Sequence, residues 1–360
     1  MSTVLQRARA WSPTTRIRPA IRSLASHVPH NRPQIVETAT WWLSSSRVAA
    51  HTVERLLGTE VSSVERLGVH GQRRVLLAHT AGGPVVLHLT LNHRYACQLE
   101  WAFAFADRHE IPSPRLLASA TDALAVPRFG AWAVAVSFVT GEPLLGPHRP
   151  GELARLGALL GRIHAIPASA AGSDAPQERS AYDLHWLDFS AARRAEIGRL
   201  LARCGRRTGG LVASTCDRLA DAARSVDLGE RHLVHGDAHP GNVLATPDGG
   251  LTLLDLESLR FGISELELHF VLEQYCGSDR EQRGALLGGY RSTVGAEKWR
   301  RWTSQRRFWH DAGTLNLLEL QLGILLRARS EGEIGHVRNM SRVVDGTLRR
   351  LADRSQAIAA

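Results

Sequence analysis

The pattern of apolar and polar positions is mainly typical of strands up to about residue 140 and mainly typical of helices after it. Residues 48–57 have helical periodicity, and Gly58 follows as a stop signal. Short apolar runs separated by turn residues then predict four strands, at 61–67, 73–78, 84–91 and 131–139. A helical pattern from Tyr95 to His109 lies between the third and fourth runs. This order predicts a small antiparallel sheet that carries one helix.

Helical patterns dominate after Gly141. They predict helices at 152–166, 191–206, 211–225, 264–275, 280–290, 308–328 and 333–352. The exception is a strand–turn–strand pattern at 243–255. A β-rich segment followed by a helical one predicts an α+β protein of two lobes with a cleft between them. We expect a flexible basic extension at 1–47, an N-lobe at 48–140 and a C-lobe at 141–360.

Composition narrows the class of protein. Of 44 basic residues only Lys298 is a lysine, and residues 1–33 contain arginines but no acid. The sequence pI of about 10.3 therefore reflects this arm, and the nearly balanced remainder predicts no nucleic-acid partner. No apolar run approaches the ~18 residues of a membrane span, so no membrane association is expected. Four cysteines without a CxxC pair suit a reducing, cytoplasmic location.

The segment 233–257 carries the candidate chemistry. Two short apolar runs flank Pro247-Asp248-Gly249-Gly250, and Asp-Gly is a favoured centre for a two-residue hairpin. With Asp248 and Gly249 as the central pair, Asn242 lies directly opposite Asp255, with their Cβ atoms ~5 Å apart. A carboxylate and an amide oxygen that converge in this way predict a magnesium site.

A second carboxylate, Asp237, lies five residues before Asn242 in a loop that contains Gly236. We expect this loop to bring Asp237 towards the same metal site. One acid that can accept a proton and two oxygen ligands for a metal are the groups that phosphoryl transfer requires.

At these residues the chain resembles a known family. His235-Gly236-Asp237-x4-Asn242, followed by Asp255-x-Glu257, is similar to the aminoglycoside phosphotransferase and choline kinase family, which has a protein-kinase-like fold. The family pattern H-G-D-x-H-x-x-N is met at every position, including His239.

The resemblance implies an ATP- and Mg²⁺-dependent kinase that transfers the γ-phosphate to a hydroxyl of a small molecule. It implies that Asp237 is the catalytic base and that His235 holds the loop. It also implies metal ligands at Asn242, Asp255 and Glu257. Acceptors of the aminoglycoside, other antibiotic or amino-alcohol type suit a role in antibiotic resistance or biosynthesis.

Other positions match the family more loosely. Gly68 and Gly71 lie where the family has its phosphate-covering turn, and Glu100 corresponds to its ion-pairing glutamate. Phe138 and Val139 match the hinge whose backbone meets adenine. Glu267 stands where the family has an aspartate that fixes the position of the catalytic loop.

One position departs from the family. His88 occupies the place of the lysine that pairs the ATP phosphates, and the first lobe contains no lysine. The charge could instead come from Arg73, Arg74 or Arg94. The alternative is a non-catalytic, pseudokinase-like binding module.

The acceptor is the least determined feature. Glu273 and Asp311 on the late helices, together with His239, are candidate substrate residues, because carboxylates suit an ammonium-bearing acceptor. A peptide Ser or Thr in natural-product biosynthesis is the alternative acceptor. The histidines around Asp237 could also suggest a metallohydrolase, but Gly236 and Pro240 prevent a shared helical face of ligands.

Overall fold

The computed structural model describes residues 45–70, 73–127, 130–171 and 187–359. The chain divides into two compact units, of which the first extends to Ala96 and includes Leu117–Ser137, and the second contains Cys97–Leu116 and Phe138 onwards. The predicted lobe boundary after residue 140 lies three residues beyond the end of the first unit. Most of the predicted extension at 1–47 lies outside the described residues. In the described part of the chain, no helix is both long and apolar enough to cross a membrane.

The first unit confirms the predicted small antiparallel sheet. It has five strands in the order β1-β2-β3-β5-β4. They are β1 (Val61–His70), β2 (Arg73–Thr80), β3 (Gly83–Thr90), β4 (Leu116–Ala120) and β5 (Trp132–Ser137). Helix α1 (Ser46–Leu57) precedes the sheet, and α2 (His93–Arg108) follows β3. The sequence did not predict β4, because its five residues, Leu-Leu-Ala-Ser-Ala, show no regular alternation of apolar and polar side chains.

Alternation along β3 determines which of its side chains enter the core. Val85, Leu87 and Leu89 belong to a buried cluster that also contains Ala49 and Val53 of α1. Since side chains alternate between the two faces of a strand, His88 lies on the face opposite this cluster.

The second unit is mostly helical, as predicted. Its helices after α2 are α3 (Pro150–His164), α4 (Ala191–Arg203), α5 (Gly209–Ala223), α6 (Ser264–Tyr275), α7 (Arg280–Thr293), α8 (Ala296–Ser330) and α9 (Ile334–Ala359). Its short strands are β6 (Glu142–Pro143), β7 (His232–Val234), β8 (Val243–Ala245), β9 (Leu251–Leu253) and β10 (Arg260–Gly262). Helix α8 begins 12 residues before the predicted start at 308. Its first turns are rich in charged residues, which conceals their periodicity in the sequence.

The predicted hairpin forms, but its predicted register is wrong. Ala245 pairs with Leu251 and Val243 with Leu253, so Asn242 lies across from Leu254 rather than Asp255. The amide N–H of Leu254 accordingly donates to the Asn242 carbonyl over 2.8 Å. The reason is the turn: Gly249 takes a left-handed conformation (φ 81°), which makes the loop three residues long instead of two.

Helices α3 and α7 pack at unusually close range. A Cβ atom built on Gly157 would lie 1.9 Å from the Leu286 carbonyl oxygen, and one on Gly289 would lie 1.9 Å from the Ala154 carbonyl oxygen. Only glycine therefore permits this approach of the two backbones. The contact matters for the site because α3 ends in His164, whose partners are described below.

We expect Gly289→Ala to destabilise the protein by about 1–3 kcal/mol, because the added methyl group forces two backbones apart. Gly288→Ala on the same helix is the matched control. A Cβ atom there meets nothing within 4 Å, so this substitution should stabilise α7 by about 0.5–1 kcal/mol through helix propensity. Urea denaturation of both variants measures the difference, and equal effects would contradict the proposed close packing.

Candidate active site

The loop that follows β7 has a shape that requires glycine. Gly236 adopts φ 83°, in the left-handed region. A Cβ atom at this position would lie 2.0 Å from Arg260 Nη1 and 2.6 Å from the Ser258 carbonyl oxygen. The His-Gly-Asp order thus turns the chain sharply, directly before Asp237.

Glu267 on α6 determines where this loop lies. Its carboxylate is buried and accepts the backbone N–H of His235 (3.0 Å) and that of Gly236. The same carboxylate contacts His164 Nε2 over 2.8 Å. Burial raises the pKa of Glu267, but its contacts with His164, His235 and the Gly236 N–H outweigh burial and bring the pKa to about 2. A carboxylate that stays ionised can accept all of these donors at once.

His235 connects the loop to the hairpin. The side chain is fully buried, and its Nε2 donates to the Leu254 carbonyl oxygen over 2.8 Å. Its Nδ1 accepts the backbone N–H of Asp237 over 3.2 Å. The imidazole therefore bridges two backbone segments, which is the geometry that a positioning residue requires.

Asp237 is the half-exposed carboxylate of the site. Asn242 Nδ2 donates to the Asp237 carbonyl oxygen (3.0 Å) and to its Oδ2 (3.4 Å). His239 Nε2 lies 3.9 Å from the same Oδ2. Burial raises the pKa of the Asp237 carboxyl, and the neighbouring His239 and His235 oppose that shift. The result is a carboxylate with greater proton affinity than an ordinary aspartate, as a general base needs.

The donor atoms at the base of the hairpin suit a hard cation. Because Asn242 Nδ2 makes both hydrogen bonds to Asp237, its Oδ1 is the atom left to coordinate a metal. Asp255 has a left-handed backbone (φ 55°), which is uncommon for a residue other than glycine and often marks functional sites. Glu257 lies in the short helical turn Leu256–Ser258 that follows.

A cavity of about 260 Å³ opens beside Asp237. Its apolar lining residues are Val234, Ala238, Ile263, Leu266, Phe270, Val271 and Leu320. Its polar lining comes from Asp237, Ser258, Arg260, Glu267 and Gln274. A small molecule that enters this cavity would meet a mostly apolar wall next to the Asp237 carboxylate.

The structure brings together only part of the predicted site. Asp237, His235, His239 and Asn242 form one connected group. Glu100, Phe138 and Val139 belong to the same unit, whereas Gly68 and His88 lie on strands of the other unit. Gly71 falls outside the described residues.

Glu273 and Asp311 line a different cavity from the one beside Asp237. There Glu273 Oε1 accepts a hydrogen bond from Arg283 (3.0 Å), and Asp311 Oδ2 accepts one from Arg218 (3.2 Å). Their predicted role in acceptor binding stays a prediction.

Sequence reasoning missed the residues that support Glu267. His164 is fully buried, and its Nδ1 lies 3.0 Å from the Tyr290 hydroxyl. Lys298 Nζ donates to the His164 carbonyl oxygen over 3.0 Å, and burial lowers the pKa of this lysine to about 7. One feature of the sequence could have revealed His164: it continues the apolar stripe of α3, where a core side chain is normally found.

The sequence of this chain matches the model of a known enzyme family. The profile of the phosphotransferase enzyme family matches residues 64–303, two thirds of the chain. The chain belongs to this family. The resemblance inferred from its His-Gly-Asp motif is thereby confirmed, and the protein is a phosphotransferase with a hydroxyl acceptor. No curated protein matches the chain in a sequence search.

Solved structures of other phosphotransferases have a similar fold. Spectinomycin phosphotransferase in complex with ADP and spectinomycin shares 14% identity, with a TM-score of 0.56 over 84% of this chain and 97% of that one. Macrolide 2′-phosphotransferase MphH from Brachybacterium faecium shares 19% identity, with a TM-score of 0.54 over 82% and 97%. The GDP and kanamycin complex of APH(2″)-IIia shares 16% identity, with a TM-score of 0.50 over 83% and 97%. At these identities the likeness demonstrates the fold.

We expect Glu267→Gln to reduce both stability and turnover in this phosphotransferase. Glutamine presents an NH₂ group to N–H donors, which costs about 2–4 kcal/mol in a buried site. Exposed Glu281→Gln on α7 is the matched control and should change stability little.

The stability difference should depend on pH. Because folding lowers the pKa of Glu267 to about 2, its contribution is complete above the unfolded-state value of ~4.5 and is lost as the pH falls towards 2. Denaturation of wild type and Glu267→Gln at several pH values measures this. A difference that stays constant down to pH 2 would contradict the ionised state of Glu267.

Proposed function

We propose that the protein is an ATP- and Mg²⁺-dependent kinase that transfers the γ-phosphate to a hydroxyl group of a small molecule. The observation that carries this proposal is the position of Asp237, which is half-exposed beside a cavity and hydrogen-bonded to His235 and Asn242. Membership of the phosphotransferase enzyme family supports the reaction class.

Asp237 is the residue that we assign to the reacting hydroxyl. Its carboxylate accepts the hydroxyl proton as the acceptor oxygen forms its bond to the γ-phosphorus and the bond between that phosphorus and the β,γ-bridging oxygen breaks. The products are the phosphorylated acceptor and ADP. Glu267 and His235 act on this step through the loop, by fixing the orientation of the Asp237 backbone.

Asn242, Asp255 and Glu257 are the residues that we assign to magnesium. The orientation of the Asn242 amide supports this, because its oxygen is the atom free of the two hydrogen bonds to Asp237. When bound, Mg²⁺ neutralises charge on the transferred phosphoryl group.

The cavity beside Asp237 favours an acceptor with an apolar face. Phe270, Val271 and Leu320 supply apolar surface, while Gln274 offers a hydrogen bond. The similar structures include complexes with spectinomycin and kanamycin and a macrolide 2′-phosphotransferase. We therefore infer an antibiotic-like small molecule as acceptor and place the reaction in the cytoplasm, where ATP is available.

We expect Asp237→Asn to lower kcat by ~10² or more, with little change in melting temperature, because asparagine cannot accept the proton. The measurement is consumption of ATP by the full chain, screened against macrolides, aminoglycosides, spectinomycin, choline and Ser/Thr peptides. Asp248→Asn in the exposed hairpin turn is the matched control and should behave like wild type. Removal of magnesium with EDTA should abolish turnover.

An undiminished kcat in Asp237→Asn would refute the role of this residue. If no acceptor and no nucleotide bind, the non-catalytic alternative would replace the kinase. A peptide as the preferred acceptor would overturn the small-molecule assignment alone.

His88 and one arginine are candidates for the positive charge that the family lysine would supply to the ATP phosphates. In the sheet, His88 pairs with Val75 on β2, so Arg73, two residues away, lies on the same face. Arg74 pairs with Leu89, a residue of the buried cluster, and therefore lies on the opposite face. We propose that Arg73, whose guanidinium lies 4.6 Å from the Tyr95 ring centre, supplies charge together with His88.

We expect Arg73→Gln to raise the KM for ATP about five- to tenfold, the effect of losing one charge-assisted hydrogen bond. His88→Lys should lower that KM. Arg66→Gln, at an exposed position of β1, is the matched control and should leave the KM unchanged. Steady-state kinetics at varied ATP measures all three, and equal values for Arg73→Gln and Arg66→Gln would remove Arg73 from the site.

A further inference from the structure

A second cavity, of about 620 Å³, lies against the other side of α6. Helix α6 presents Phe270 and Gln274 to the cavity beside Asp237, and His269 and Glu273 to this one. Since successive residues of a helix are rotated by ~100°, these two sets occupy different faces. The second cavity is thus separate from the one that contains Asp237.

Its size and walls suit a small organic molecule. Apolar surface comes from Leu272, Leu287, Trp302 and Trp309, contributed by three helices. Cavities of ~300–1,000 Å³ with apolar walls and a few convergent polar groups are typical small-molecule sites.

The charge of the lining is the feature that selects a ligand. Four arginines line the cavity, against three carboxylates: Arg283, Arg306, Arg307 and Arg350, against Glu273, Asp311 and Asp353. Asp311 is already paired, over 3.2 Å, with Arg218, which is not part of the lining. The cavity therefore has an excess of positive charge.

The buried carboxylate in the cavity is shared between two arginines. Glu273 Oε1 accepts a hydrogen bond from Arg283 Nη1 over 3.0 Å, and its Oε2 lies 3.3 Å from Arg350 Nε. One negative charge cannot neutralise two guanidinium groups. Arg306 and Arg307 lie exposed at neighbouring positions of α8, and among the described residues neither makes an ion pair.

We propose that this cavity binds an organic anion: an apolar or aromatic body between the tryptophan and leucine side chains, with a carboxylate, phosphate or sulfonate group facing the arginines. Guanidinium groups recognise such groups by charge and by paired hydrogen bonds. The site is distinct from the proposed catalytic site and does not depend on the proposed phosphotransfer.

A metal ion is the competing occupant. Donor atoms of His269, Glu273 and His310 lie within 4.8 Å of one another. However, Arg283 and Arg350 contact the only carboxylate of this trio, and both would repel a divalent cation. The charges next to Glu273 thus favour the anion.

The test is calorimetric titration of the full chain with three probes that share one aromatic body. We expect 1-naphthylacetate, an anion, to bind with a one-to-one stoichiometry, and about tenfold more tightly than the neutral 1-naphthylacetamide. The cation 1-naphthylmethylammonium should bind more weakly still. Equal affinities for anion and amide, tighter binding of the cation, or no binding of the anion at millimolar concentration would each overturn the proposal.

Variants locate the site. Arg306→Ala/Arg307→Ala should weaken 1-naphthylacetate about tenfold, and Leu287→Trp should block it by filling the cavity. Arg300→Ala, an exposed arginine of α8 outside the cavity, is the matched control and should leave affinity unchanged. Asp237→Asn should also leave it unchanged; a loss there would assign the probe to the catalytic cavity and overturn the proposal.

A parallel titration with ZnCl₂ tests the competing occupant. We expect that His310→Ala does not change zinc binding, because zinc does not occupy this cavity. Zinc binding that is lost in His310→Ala, together with anion binding that is insensitive to the arginine substitutions, would assign the cavity to a metal instead.

Discussion

The geometry of the candidate site depends on one buried carboxylate. Glu267 accepts the successive backbone N–H groups of His235 and Gly236, in the loop that contains Asp237, and contacts His164 with the same side chain. Buried backbone N–H groups need acceptors, so the residue that accepts these two helps to fix the position of the loop, together with the buried His235 side chain. Because α6 carries Glu267, these hydrogen bonds connect the loop that contains Asp237 directly to the helix.

The support behind Glu267 extends through the helical unit. His164 contacts Tyr290 on α7, and its carbonyl oxygen accepts from Lys298 on α8. The close approach of α3 and α7 at Gly157 and Gly289 brings these groups within reach of one another. Helix packing at a distance from Asp237 thus contributes to the orientation of this residue. Gly157 and Gly289 therefore matter for the candidate site as well as for the packing of the two helices.

The sequence alone was sufficient to predict those parts of the structure that a local pattern of residues determines. Apart from β4 and the short strands β6, β7 and β10, the order of strands and helices follows from periodicity. The predicted helix at 264–275 matches α6 residue for residue. The His-Gly-Asp motif identified the loop because the turn itself demands glycine at 236. Patterns of this kind depend on a few neighbouring residues, which a single sequence displays.

Features that depend on distant contacts were not predictable. The observed hairpin register differs by one residue from the predicted one, because the backbone conformation of Gly249 decides the loop length. The same loop sequence is compatible with a two-residue and a three-residue turn. Glu273 and Asp311 were predicted as substrate residues for an ammonium-bearing acceptor, and that role stays a prediction. Their arginine partners could not be predicted, because these arginines lie on other helices that no spacing rule connects to them. The role of His164 likewise depends on Glu267, which lies 103 positions further along the chain on α6.

Lys298, the single lysine of the chain, has a consequence for the chemical modification of the protein. It is buried beneath α3, so the described surface offers no lysine amine to acetylation, ubiquitination or amine-directed cross-linking. The positive charge of that surface resides in guanidinium groups, which stay protonated at every physiological pH and which lysine acetyltransferases do not neutralise. Enzymes that modify lysines therefore have no means of altering the surface charge of these described regions.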